Sequence, residues 1–153
     1  MAQTEIVIRA ARPSDCDVIS AVIADAVHHA NATHYSPEEI VAYLARTYSP
    51  SHIAERLRER EVFVAVLDGR VIGTAGLKDD AVRSVFVTRE HQGRGIGQAL
   101  MRHVEALARS RDIRRLTIPA SAAGRPFYQS LGYRDLHTEK QGIEAVTIME
   151  KLL

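Results

Sequence analysis

The 153-residue chain is the length of one domain, taken as residues 1–153, and its 46% hydrophobic and 25% charged content excludes a disordered polymer. A formal net charge of +1, no tryptophan and 5% aromatic residues leave neither the basic footprint nor the stacking rings of a nucleic-acid binder. The one cysteine, Cys16, rules out an internal disulfide and suits a reducing compartment, so a cytoplasmic chain is expected.

The first five residues have neither the basic start nor the apolar stretch of a signal peptide. The apolar stretch from Val18 to Val27 is interrupted by Asp25, so no membrane span is expected. Charge divides unevenly, with 7 Lys/Arg against 10 Asp/Glu in residues 1–76 and 13 against 9 in residues 77–153. A basic half can steer a small polyanion. Solvated helix faces account for the same cations without any ligand.

In chain order, Glu5 to Ala10 reads as a short strand. Pro13 and Ser14 open a helix, with Asp17 placed three residues after Ser14 to close a capping box. Val18, Ile19, Val22, Ile23, Ala26 and Val27 form its apolar face, which stops at His28-His29-Ala30-Asn31. Ser36-Pro37-Glu38-Glu39 starts a second helix with Ser36 as cap and Glu39 completing the box; Ile40, Val41 and Leu44 are its buried face. Ser49-Pro50 starts a third, with Ile53 and Leu57 four residues apart.

The texture then becomes β. Val62 to Leu67 is a continuous apolar run, as in a strand covered on both faces, and Asp68-Gly69 turns it into a return strand over Arg70 to Leu77. Gly73 and Gly76 in that strand point to a bulge or a close approach of backbone. Asp79-Asp80 turns again into Ala81 to Val87. A long helix follows from Gly95 to about Arg111, with Ile96, Leu100, Val104 and Leu107 inward. Leu116 to Pro119 is a strand, Gly124 to Leu131 a short helix ended by Gly132, and Tyr133–Thr138 and Ile143–Met149 are two closing strands. The order is that of a mixed α+β domain.

The chemistry concentrates in Val85-Phe86-Val87-Thr88-Arg89-Glu90-His91-Gln92-Gly93-Arg94-Gly95-Ile96-Gly97-Gln98, where a strand runs through a glycine-rich loop into a helix. Such a loop turns several N–H groups into one concavity, and the helix N-terminus adds free donors and a positive dipole end. With Arg94 beside them, these groups suit a phosphate or pyrophosphate. The dinucleotide fingerprint fails because Gln98 occupies its third glycine slot, and the P-loop fails because Gly97 is followed by Gln98-Ala99. A glycine-rich turn without a ligand remains the alternative at this point.

Gln92-Gly93-Arg94-Gly95-Ile96-Gly97 resembles the Gln/Arg-x-x-Gly-x-Gly/Ala loop of the GNAT superfamily of N-acetyltransferases, and it follows a Val-Phe-Val strand as that loop does. Phe127-Tyr128-Gln129-Ser130-Leu131-Gly132-Tyr133 resembles the family's second segment, at the family's spacing, and element order fits along nearly the whole chain. The resemblance implies a three-layer α/β/α domain. Its central twisted sheet is mostly antiparallel, with a V-shaped splay between strands 4 and 5.

The implied activity is transfer of an acetyl group from acetyl-CoA to a primary amine by direct attack in a ternary complex. The amine belongs to a small molecule or a protein; nucleic acid and membrane are not implied as partners, and relatives are often homodimers. By this resemblance Gln92, Gly93, Arg94, Gly95, Ile96, Gly97 and Gln98 hold the CoA pyrophosphate, chiefly through backbone amides, and Val85, Phe86 and Val87 line the pantetheine and acyl group. Tyr128 corresponds to the tyrosine that protonates the departing thiolate; an ordinary Tyr pKa near ~10 keeps it a usable donor. Phe127 is included at the cofactor, although of the two adjacent aromatics it is the one expected to face the core.

Two positions depart from the family. Ser121 stands where many members place an Asn that contacts CoA, and Arg83-Ser84-Val85-Phe86-Val87 lacks the glutamate that serves many members as general base. That absence keeps open the alternative of a non-catalytic acyl-CoA sensor or interaction module. Asn31, His34 and Tyr35 are candidate substrate contacts, with the Tyr133–Ile143 region beside them. His28, His29 and His34 match no standard zinc spacing, so no metal is expected. Cys16, remote from both motifs, reads as a small buried residue rather than a nucleophile.

Overall fold

The computed structural model describes residues 5–141 and 144–153. Seven strands form one sheet: β1 (Val7–Ala10), β2 (Glu61–Leu67), β3 (Arg70–Lys78), β4 (Ala81–Val87), β5 (Arg115–Ala120), β6 (Arg134–Gln141) and β7 (Glu144–Leu152). Their order is β1-β2-β3-β4-β5-β7-β6, and every neighbouring pair is antiparallel except β4 with β5. Ile143, where the sequence places the start of the last strand, lies outside the described residues.

Helices cover both faces. The first three, α1 (Cys16–Asn31), α2 (Pro37–Thr47) and α3 (Pro50–Glu59), pack Ile19, Ile23, Val27, Ile40 and Ile53 onto Val64 and Phe86. The other two, α4 (Ile96–Ser110) and α5 (Arg125–Ser130), pack Ile96, Leu100, Met101, Val104 and Tyr128 onto Ala65, Ile72 and Ile118. The alternation of β2 explains how one strand serves both layers: Val62, Val64 and Val66 face α1–α3, whereas Phe63 and Ala65 face α4. The fold is therefore the mixed, three-layer arrangement expected. Among the described residues no helix is long and apolar enough to cross a membrane.

Local signals with a local answer are met. Ser36 Oγ accepts the Glu39 N–H at 3.2 Å while Glu39 accepts the Ser36 N–H at 3.0 Å, closing the box at α2. Ser49 caps α3 by accepting the His52 N–H. Other expectations are corrected. Ser14 and Asp17 do not form a cap: Pro13–Asp15 is a separate 3-10 turn, and buried Asp15 accepts the Arg12 N–H at 2.7 Å. Arg9 of β1 grips the same carboxylate at 2.8 and 3.0 Å, so the strand chooses Asp15 and leaves Asp17 to solvent. Val41 is 58% exposed rather than core; Tyr43 and Leu44 pack inward with Ile40 instead.

The feature that positions the site is the junction of β4 and β5. Their register contains only Ala81 opposite Thr117, with the Thr117 N–H donating to the Asp80 carbonyl at 3.0 Å. Beyond that point the strands separate, as the expected splay requires. Along its other edge β4 stays paired to β3, but two residues, Ser84 and Val85, oppose Ala75 alone. Ser84 adopts φ 53°, a left-handed conformation in mid-strand that marks a bulge.

Candidate functional site

The Thr88 N–H donates to the Ile72 carbonyl at 2.9 Å, and Phe86 pairs with Thr74. By the alternation of an antiparallel ladder, Phe86 and Thr88 direct their main-chain groups to β3, whereas Val85 and Val87 direct theirs into the opening toward β5. The side chains alternate as well. Val85 and Val87 pack against the α4 layer as ordinary apolar residues, and Phe86 packs among α1–α3.

The loop after β4 is held at three points. Asp25 of α1 accepts the Arg89 N–H at 2.6 Å, capping a 3-10 turn over Arg89–His91. The Thr88 hydroxyl and His91 Nδ1 lie 2.8 Å apart, and the Gln92 amide donates to the Val87 carbonyl at 3.1 Å. Gly93 and Gly95 take φ 77° and 82°, which lets the chain reverse into α4, and a Cβ on either would meet nothing within 4 Å. Among the described residues no main-chain acceptor is bonded to the N–H groups of residues 93–98; the first closure of the helix is Ala99 N–H to the Gly95 carbonyl. The result is an open row of free donors at a helix N-terminus, with exposed Arg94 within it. These groups fit a pyrophosphate by geometry and by charge.

The second motif touches the first. Phe127 Cζ lies 3.1 Å from where a Cβ on Gly97 would stand, so α5 packs directly on the first turn of α4. Tyr128 stacks edge-on against Phe127 with ring centroids 5.1 Å apart, and against Tyr133 at 6.0 Å. The expected orientation is reversed here. Tyr128 is buried and Phe127 is only half-buried, because Phe127 must rest on α4 while α5 rotates its next residue inward. Burial pushes the Tyr128 phenol well above its ordinary pKa. The Tyr133 hydroxyl donates to Glu105 at 2.8 Å, and Lys151 pairs with the other oxygen of that carboxylate at 2.9 Å. This buried network fixes the end of α5 to α4 and β7.

Ser121 Oγ accepts the Gly124 N–H at 3.1 Å and starts the turn into α5. Asn31 caps the end of α1 by donating to the Val27 carbonyl at 2.9 Å, His34 is exposed, and half-buried Tyr35 packs beside the α1–α3 core. These three lie at one end of the α1–α2 connection. Asp79 and Asp80 are exposed at the end of β4 that pairs with β5, so neither accompanies the bulge. Cys16 is buried, and burial raises its thiol pKa, which disfavours the thiolate a nucleophile needs. Among the described residues no group of three or more His, Cys, Asp or Glu gathers as a metal site would.

Sequence reasoning missed a small cleft of about 20 Å3 beneath α1 and α3, bordered by Ile19, Ile23, Thr74 and Ser84 and by two arginines, Arg56 and Arg60. Four residues apart on a short polar helix, these arginines read as solvated; only the tertiary fold withdraws them. Asp25 was legible only as an interruption of an apolar run.

A splayed seven-stranded sheet with a donor-rich loop at its opening is the architecture of an acyltransferase family. Residues 31–153 match the family model described as acetyltransferase (GNAT) domain, and the chain belongs to that family. It is 27% identical over 135 residues to an uncharacterized N-acetyltransferase, YafP, of Escherichia coli (strain K12), covering 88% of this chain and 85% of that one. It superposes on a GCN5-related N-acetyltransferase from Rhodopseudomonas palustris with a TM-score of 0.89 at 28% identity, covering 100% of this chain and 99% of the other. The fold also matches PaiA N-acetyltransferase from Thermoplasma acidophilum, solved with coenzyme A, at TM-score 0.84 and 21% identity, over 97% and 99% of the two chains.

Proposed function

We propose that the protein is an acetyl-CoA-dependent N-acetyltransferase that acts by direct attack of an amine within a ternary complex. The observation that carries this reading is the run of residues from Gly93 to Gln98 whose N–H groups have no main-chain partner among the described residues, at the end of a strand paired with β5 only at Ala81. When bound, acetyl-CoA supplies an activated acetyl thioester. The loop amides and Arg94 would hold its pyrophosphate. The free main-chain groups of Val85 and Val87 would pair with the pantetheine arm, and an N–H of one of these residues would stabilise the carbonyl oxygen as negative charge develops. Phe86 serves differently from the expectation, since its own amide is turned to β3.

Tyr128 is the group assigned in this reading to serve the leaving sulfur. Its raised pKa keeps it a neutral donor throughout the neutral range. The same shift makes a free tyrosinate costly beside a thiol of ordinary pKa near ~8.5, so the hydroxyl passes a proton to sulfur as it gains one from the attacking ammonium side. The amine must arrive unprotonated or lose its proton through water, because β4 itself carries no carboxylate beyond its turn.

Thermal unfolding with acetyl-CoA, with NAD and ATP as controls, tests the reading. At one hundred times its dissociation constant a ligand stabilises by about 2.7 kcal/mol, roughly 5–10 °C at this chain length. A shift given by acetyl-CoA alone, followed by thiol release with added amines, is the expected outcome. A shift without thiol release from any amine would favour a sensor module, and no shift would remove the cofactor reading.

A further inference from the structure

Beneath α1 and α3, two half-buried arginines, Arg56 and Arg60, stand at the edge of a small, mostly apolar cleft. Arg56 Nη1 and Arg60 Nε are both withdrawn from solvent, and neither has a hydrogen-bond partner among the described residues. No carboxylate among the described side chains lies within ion-pair distance of Arg56, Arg60 or Arg83, although Glu59 is close enough to act on Arg60 through charge. Burial first, then the charges of Arg56 and Arg83, pull the Arg60 guanidinium below its ordinary pKa. Guanidinium groups rarely sit this way unless something else completes them.

The surroundings hold both arginines in place. The Arg56 guanidinium carbon stands 4.5 Å over the Tyr48 ring, and Tyr48 in turn packs edge-on against Phe86 with centroids 5.6 Å apart. Arg60 runs past Gly76, where a Cβ would come within 3.3 Å of its Cδ, so the strand leaves room for its stem. The cleft also reaches Ser84 at the bulge, one residue before the free main-chain groups of Val85. It therefore lies on the α1–α3 side of β4, opposite the α4 layer on which Val85 and Val87 pack.

We propose that Arg56 and Arg60 form the anchoring subsite of the acyl acceptor, and that this acceptor is an amine that also carries a carboxylate. The inference rests on the acetyltransferase reading and names the substrate class for it. A planar fork of N–H donors matches a carboxylate, and the half-exposed side chains of Arg56 and Arg60 present such donors at the mouth of the cleft, with the acceptor's body outside it toward the bulge at Ser84. A diamine or polyamine would meet the guanidinium charges of Arg56 and Arg60, which argues against polycationic acceptors; Arg83 nearby has the Glu139 carboxylate acting on it.

The test compares free L-amino acids with their carboxamides and with simple diamines as acceptors, by thiol release from acetyl-CoA. The acids should exceed the amides in kcat/KM by about tenfold or more. Arg60→Gln and Arg56→Gln should raise the acceptor KM and shrink the acid-to-amide ratio, with the KM for acetyl-CoA unchanged, and Arg60→Lys should restore part of the ratio. Amides or diamines used as well as acids, or a ratio unmoved by Arg60→Gln, would overturn the assignment. If none of these amines turns over, the acetyl-CoA-loaded protein is melted with glutarate and with glutaramide. A shift from glutarate alone that Arg60→Gln abolishes sustains the site, and no such shift removes it. Failure of acetyl-CoA itself to bind would instead strike the cofactor reading, so the two failures are told apart.

Discussion

Tyr128 is the side chain at which folding and the proposed chemistry can be tested together. The residue is 7% exposed and its ring packs between Phe127 and Tyr133, contacts that a phenylalanine would keep. Tyr128→Phe should therefore leave the melting temperature little changed, and the acetyl-CoA-induced shift intact. The acetyl transfer rate should fall by about 100-fold or more if the hydroxyl moves the proton. Steady-state rates beside a melting curve check both halves, and an undiminished rate would remove Tyr128 from the chemistry. The sequence could bring Tyr128 and Phe127 together but not orient them. On a six-residue helix, which neighbour faces inward is decided by the contact of Phe127 with Gly97, a residue thirty positions away. Arg56 and Arg60 were hidden for a related reason, since the space that buries them is created by β3 and α1 rather than by their own helix.

At the scale of elements, legibility follows the range of the interaction. The α2 start is written in four consecutive residues, Ser36 to Glu39, and needs nothing further. The α1 start is a contest among Ser14, Asp15 and Asp17 that Arg9 of β1 settles. That contact also makes the α1 start sensitive to acid. The Arg9 guanidinium holds the Asp15 carboxyl below the usual carboxylate range, against the opposing effect of burial. A depressed folded pKa contributes stability that is complete above the unfolded value near ~3.9 and is lost as pH falls through the folded value. Asp15→Asn should cost about 1–2 kcal/mol at pH 7, roughly 2–4 °C per kcal/mol, and the gap to the parent should close as the pH drops from about 5 toward 3. Melting curves across that range decide it; a gap independent of pH would mean the charge contributes little. The pairs Glu61–Arg111 and Arg125–Asp135 are exposed and screened, and are not expected to produce a comparable slope.

For the whole molecule, the splay separates β1–β4 from β5–β7 along most of the β4 edge. The two halves are joined across the sheet by Ala81 opposite Thr117, and outside it by the Glu105–Tyr133–Lys151 network and by Phe127 on Gly97. A sheet interrupted in its middle leaves main-chain groups without partners, which a fold tolerates only where water or a ligand supplies them. The Gly-rich loop pointed to an anionic ligand, but the splay was expected only through the family resemblance, because strand pairing across a gap leaves no local pattern. This geometry fixes a signature in amide hydrogen exchange. In the free protein the Phe86 and Thr88 amides, bonded to β3, should exchange slowly, and those of Val85 and Val87, facing the gap, should exchange fast. Saturation with acetyl-CoA should slow Val85 and Val87 together with the amides of residues 93–98, and leave Phe86 and Thr88 little changed. Protection confined to the loop would mean that the pyrophosphate is held while the acyl arm lies elsewhere. Protection of both sets would place the thioester between the halves, where the Val85 and Val87 amides and the Tyr128 hydroxyl can meet it.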